Sequence, residues 1–192
     1  MANSYWLLAI GGVRLVCGKC ATCKVPRSGC YGVVACRAAV NYLCKMIRIT
    51  KIFSFETAHL LYNYDGKCKN MHGHSYKLFV TIKGAPVNDL ENPKNGMVVD
   101  FGDIKKIVNE EIVDVWDHSV LVNGLSPHRE LGKNLEQQGH KVIYCDFQPT
   151  CENMLYEIAR KIEKRLPAEV SLAYLKLHET DNSYGEWFAD EN

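Results

Sequence analysis

From Met46 onward, hydrophobic and polar positions alternate in blocks that define elements. In "IRITKIFSFETAHLL", Ile47, Ile49, Lys51, Phe53 and Phe55 fall on one side and Arg48, Thr50, Ile52 and Ser54 on the other. The period of two and the β-branched and aromatic content predict a strand ending near His59. "HSYKLFVTIKG", His74 to Gly84, predicts a second strand, closed by Gly84 and Pro86. The Asn, Asp and Gly of "LYNYDGKCKN" between them predict a loop. "GMVVDF" reads as a short extended run. After it, Ile104, Ile107, Val108 and Ile112 recur at helical spacing, which predicts a helix from about Ile104 to Val115 with Asp103 as its N-cap. "HKVIYCDF" predicts a further strand. "PTCENMLYEIARKIEKRL" predicts a second helix, capped by Thr150, with Met154, Leu155, Ile158, Ile162 and Leu166 as its buried stripe. "VSLAYLKLHETD" and "YGEWFAD" predict the last two strands. This order indicates an α+β fold, with helices on one face of a largely antiparallel sheet.

Composition adds a boundary. The chain has 192 residues and is 47% hydrophobic and 23% charged, an ordinary globular mixture. Residues 1–45, however, hold six Lys or Arg and no acidic residue, and six of the nine cysteines: Cys17, Cys20, Cys23, Cys30, Cys36 and Cys44. The expected division is a Cys-rich leader, residues 1–45, and a folded domain, residues 46–192. "CGKCATC" lacks the second ordered ligand pair of a structural zinc module. The apolar run Trp6 to Val13 has no basic residue ahead of it, as a signal peptide would, and is too short to span a bilayer. A disulfide framework would need an oxidising compartment, whereas the rest of the chain reads as cytoplasmic. The leader is therefore expected to be a disordered or mis-annotated extension, with Met46 the natural start.

The chemistry concentrates in "KCKNMHGHSY". His72 and His74 stand two apart in a strand and project to one face, leaving Gly73 on the other. Two imidazoles make half of a zinc site, and a catalytic zinc takes a third protein ligand while keeping one position open. His59, at the end of the preceding strand, is the candidate third ligand, because neutral imidazole suits zinc. Cys68 is either an inert loop thiol, a ligand or a reactive group. Of the remaining histidines, His128 and His140 lie in or near a polar loop, and His118 and His178 each border an acidic residue.

The motifs "FETAHLL", "CKNMHGHSYKLFVTIKG", "GMVVDFGDIK", "WDHSVLVN", "PTCEN" and "LHET" occur in an order and spacing that resemble the family of 6-pyruvoyltetrahydropterin and 6-carboxytetrahydropterin synthases. The resemblance runs from Met46 to the C-terminus and leaves the leader unmatched. It implies a tunnelling (T-fold) domain: a four-stranded antiparallel sheet with two helices on one face, sheets joining into a barrel on oligomerisation. It implies zinc held by His59, His72 and His74, and Cys68 as a catalytic base rather than a ligand. Asp117 and His118 match the family's catalytic Asp-His pair, Glu179 the carboxylate that grips the pterin ring, and Thr150 a further pterin contact.

Within the family, three residues between Cys68 and His72 resemble the carboxy-forming branch. That branch converts 7,8-dihydroneopterin triphosphate to 6-carboxytetrahydropterin with release of acetaldehyde and triphosphate, on the route to queuosine. The alternatives are the pyruvoyl-forming reaction and, from another class, a non-catalytic zinc- or nucleic-acid-binding protein built on the basic leader. The last is disfavoured because the main body carries no basic-aromatic platform. The implied partners are the small pterin substrate and sister chains in a homohexamer, a dimer of trimers, with neither nucleic acid nor membrane. A segment longer than in compact members, "GLSPHRELGKNLEQQGHKVIYCDF", separates His118 from Pro149.

Overall fold

The computed structural model describes residues 8–10, 13–15 and 45–192. Strands β1 (Leu8–Ile10) and β2 (Val13–Leu15) pair antiparallel in a hairpin within a separate unit, residues 1–42. The expectations for the leader and its cysteines otherwise lie outside the described residues.

The main unit is a sheet of six strands, in the order β6-β5-β3-β4-β7-β8. The long pair β3 (Ile47–His59) and β4 (His72–Gly84) runs antiparallel from Ile47 opposite Gly84 to His59 opposite His72. On one side, β7 (Val170–Thr180) and β8 (Ser183–Phe188) continue antiparallel. On the other, β5 (Ser119–Asn123) and β6 (Val142–Cys145) join in parallel. The expected four-stranded antiparallel sheet is therefore a mixed sheet of six strands, although the α+β class holds. "SVLVN" escapes a reading by alternation because both of its faces are covered: Leu121 enters the main core and Val122 is buried on the opposite side.

Helix α1 (Phe101–Val108) starts earlier than expected. Its cap is Asp100, whose carboxylate accepts the amide N–H of Gly102 at 2.7 Å, so Asp103 falls in the first turn instead. There its charge still favours the positive end of the helix, and it meets Lys94. The buried stripe Ile104, Val108, Ile112, Trp116 advances by four residues each time, about 40° per step ahead of a 3.6-residue turn. A π-helical turn, Asn109–Val113, unwinds the helix and keeps that stripe on the sheet before a last short turn, Asp114–Trp116. Helix α3 (Cys151–Glu163) is capped by Thr150 and buries Met154, Leu155, Ile158 and Ile162, as its pattern predicts.

The long segment after His118 holds an unexpected helix, α2 (His128–Gln137). Its apolar side chains are Leu131 and Leu135, and its buried residue is Gly132, pressed against Tyr144. A Cβ there would come within 2.7 Å of the Tyr144 ring, so glycine lets the helix approach. Tyr144 alternates away from Ile143 and Cys145, which contact the core. Helix α2 thus covers the opposite face of the sheet from α1 and α3, which corrects the expectation of helices on one face alone. Among the described residues no helix is long and apolar enough to cross a membrane.

Candidate active site

The core face of β3 carries Phe53 and Phe55, and that of β4 carries Ile82, Val80, Leu78 and Tyr76. Both stripes run toward the same end of the pair. There the alternation that has placed apolar residues places Thr57 and His59 on β3 and His74 and His72 on β4. His59 and His72 are direct cross-strand partners and His74 is diagonal to His59, within reach of one another by pairing geometry. Their ligand atoms all lie within 4.8 Å.

Backbone carbonyls set the tautomers. His59 Nδ1 is 2.6 Å from the carbonyl oxygen of Pro149, and His72 Nδ1 is 2.8 Å from that of Asn70. A carbonyl can only accept, so each Nδ1 carries the proton and each neutral ring presents a bare Nε2 to the cluster. Those two Nε2 atoms are 3.1 Å apart. Two lone pairs at that distance repel unless a cation lies between them. A proton is opposed by burial, which pulls the His59 pKa below its usual 6.5. A metal ion fits: bonds of about 2.0–2.1 Å from a tetrahedral ion place neighbouring nitrogens roughly 3.3 Å apart. The Pro149 and Asn70 carbonyls are the outer partners that ligating imidazoles commonly have. Neither was legible as such in the sequence.

Glu179 reaches the same place by way of a bulge. Pairing between β4 and β7 slips at Thr81/Ile82, so the core side of β7 passes from Leu172 to Leu175, Leu177 and Glu179. The carboxylate Oε1 accepts the Tyr76 hydroxyl at 3.1 Å and lies 3.9 Å from His59 Nε2. Cys68 sits half-buried in the short 3-10 turn Lys67–Lys69. Its carbonyl accepts the Leu61 N–H at 3.0 Å, which ties the turn back to the residues just past His59. The Tyr76 hydroxyl is held protonated, first by burial, then by Glu179, and in smaller measure by the negative charge Cys151 and Cys68 would carry. Thr150 spends its side chain on capping the Asn153 N–H, and its neighbour Pro149 is the residue that touches His59. Cys145 and Cys151 are buried, and burial pushes both thiols up to about 12, as suits inert core residues.

Asp117 and His118 do not join this cluster. Asp117 Oδ2 accepts His118 Nδ1–H at 2.8 Å, and its Oδ1 accepts the Glu56 N–H at 2.8 Å. That backbone hydrogen bond, helped by His118, holds its pKa below the usual carboxylate value. Adjacent residues meet in this way because His118 takes a left-handed backbone, φ 54°. Lys141 steadies the turn by donating to the carbonyls of Asp114 and Asp117. His118 lines a cleft of about 320 Å³ with Glu56, Ala58, Gly73 and Ser75, and with Thr57 and His74 from the face that carries the three histidines. Gly73 keeps this cleft open, since a Cβ there would stand 3.2 Å from the Thr57 carbonyl.

Residues 48–189 match the sequence profile of the family described as 6-pyruvoyl tetrahydropterin synthase. A Haemophilus influenzae protein named 6-carboxy-5,6,7,8-tetrahydropterin synthase is 39% identical over 147 residues, covering 74% of this chain and 99% of that one. A Rickettsia bellii protein of the same name is 32% identical over 144 residues, covering 73% and 99%. The structure of the Caenorhabditis elegans 6-pyruvoyl tetrahydropterin synthase superposes with a TM-score of 0.54 at 23% identity, covering 76% of this chain and 96% of that one, a likeness of fold.

Proposed function

The chain belongs to the 6-pyruvoyl tetrahydropterin synthase family, and from that premise we propose that it converts 7,8-dihydroneopterin triphosphate to 6-carboxytetrahydropterin, releasing acetaldehyde and triphosphate, as a step toward queuosine. It is an enzyme of the lyase class, and the Haemophilus influenzae and Rickettsia bellii relatives carry the carboxy-forming name. The observation that carries the reading is the convergence of His59, His72 and His74 with Glu179 at one end of the sheet, with the Cys68 turn tied to the same end.

In this reading Nε2 of His59 and of His72, with a ring nitrogen of His74, would hold Zn2+, the metal that an all-imidazole set suits. When bound, zinc supplies Lewis-acid polarisation of the oxygens on the substrate side chain, which acidifies the adjoining C–H protons. Cys68 takes such a proton as its thiolate. Glu179 accepts the two adjacent N–H groups of the aminopyrimidinone edge, a planar two-donor match to a carboxylate. Thr150, whose side chain caps the Asn153 N–H, is the further pterin contact that the family resemblance implies. His118, held in one tautomer by Asp117, is the second acid-base group.

Because Asp117 and His118 pair with each other and with the Glu56 backbone rather than with the three histidines, His118 serves a neighbouring chain's pterin in this reading. That requirement supports an assembly in which sheets join across subunits, a homohexamer formed as a dimer of trimers. An interfacial site also covers sheet edges that would otherwise be exposed. Residues 46–192 are the catalytic unit in this reading, and the leader is dispensable. Deleting residues 1–45 is expected to leave zinc content and turnover within about twofold of the full chain. Loss of both would instead make the leader part of the functional protein.

Product analysis separates the branches. Incubation with dihydroneopterin triphosphate is expected to yield acetaldehyde and a 6-carboxypterin, identified by mass spectrometry. A 6-pyruvoyl product would move the chain to the pyruvoyl-forming branch, and zinc-independent or absent turnover would refute both.

A further inference from the structure

We propose that Tyr76 is a positioning residue that aims Glu179 at the pterin, an inference that rests on Glu179 being the pterin-binding carboxylate. Tyr76 is 1% exposed, and its ring is fixed on three sides. It stacks on Phe55 at 5.3 Å and meets the edges of the His74 and His59 rings at 5.6 and 6.3 Å. Its hydroxyl therefore points from a rigid part of the core, and Glu179 accepts it at 3.1 Å. Glu179 itself has no such support from its strand. Pairing between β7 and β8 slips between His178 and Thr180, so Glu179 is the residue left out of register, in a bulge just before Thr180 pairs with Ser183. A long carboxylate side chain on such backbone would sample several rotamers. The Tyr76 hydroxyl selects one of them.

The bond is compatible with substrate binding. A carboxylate offers about four acceptor directions, and Tyr76 occupies one on Oε1. Both oxygens keep capacity for the two parallel N–H donors of an aminopyrimidinone. Preorganising the acceptor before the ligand arrives should appear in binding rather than in the chemical step.

The test compares wild type with Tyr76→Phe, Glu179→Gln and the double variant, with neopterin as a non-reacting pterin probe. Tyr76→Phe removes one oxygen and keeps the stacked ring. It is expected to retain zinc and melting temperature, to raise both KM and the neopterin Kd about tenfold, in line with a hydrogen bond to a charged group, and to leave kcat within about threefold. Glu179→Gln is expected to weaken neopterin binding more strongly, and the double variant to bind no worse than Glu179→Gln alone, since Tyr76 acts through that carboxylate. A Tyr76→Phe protein with a lowered melting temperature but unchanged KM and Kd would overturn the proposal while leaving Glu179's role intact. Unchanged neopterin binding by Glu179→Gln would overturn that role, and the proposal with it.

Discussion

His72→Ala is expected to yield a folded protein that no longer retains zinc and has lost turnover by more than about 100-fold, since loss of a mere outer partner already costs roughly 10–100-fold. The fold should survive because His72 is only half-buried and stands at the end of the β3–β4 ladder, past the aromatic and aliphatic stripe that makes the core. Removing its ring also relieves the 3.1 Å approach of two bare nitrogens. The apo variant should therefore melt no lower than apo wild type, whereas holo wild type should melt higher than either by linkage to bound metal. Metal analysis and thermal melts with and without chelator check this. Retained stoichiometric zinc would place the metal elsewhere. Acid should mimic the variant. Burial depresses the His59 pKa below 6.5, so the unfolded chain binds its proton first. In the metal-free protein the stability from neutral His59 is present above about pH 6.5 and declines as pH falls below it, and protons compete with metal for the same nitrogens.

Cys68→Ala is expected to do the opposite with respect to metal: zinc stays near wild-type content while turnover falls by roughly 10²–10⁴, the usual contribution of a positioned general base. The substitution spares the structural role of the turn, because the Leu61–Cys68 hydrogen bond uses the backbone carbonyl. The half-buried thiol leaves little cavity behind. Metal analysis together with steady-state rates decides the matter. Parallel loss of zinc would make the thiol a ligand, and unimpaired turnover would make it a bystander.

Different parts of this molecule were unequally legible before folding, for identifiable physical reasons. Strands β3, β4, β7 and helix α3 carry one covered face each, so their periods show in the sequence. Strand β5 is covered on both faces and has no period to show. Helix α2 buries a glycine, packed against Tyr144, and offers Leu131 and Leu135 as its apolar residues, too few to show a long period. The cap of α1 moved from Asp103 to Asp100 because two Asp residues stood at compatible positions and only the path of the chain selected between them.

The sequence by itself determined that His72 and His74 share a face and that His59 closes the preceding strand, because alternation in a strand is local stereochemistry. It also determined, through ordered motifs, the family to which those residues belong. Only the tertiary structure decided the rest. Cross-strand register set His59 opposite His72, and a bulge shifted the phase of β7 so that Glu179 faces the histidines. Parallel pairing of β5 with β3 set Asp117 and His118 beside Glu56 rather than among the three histidines. Register, bulge and strand order each depend on contacts between residues distant in the chain, and no local period encodes them.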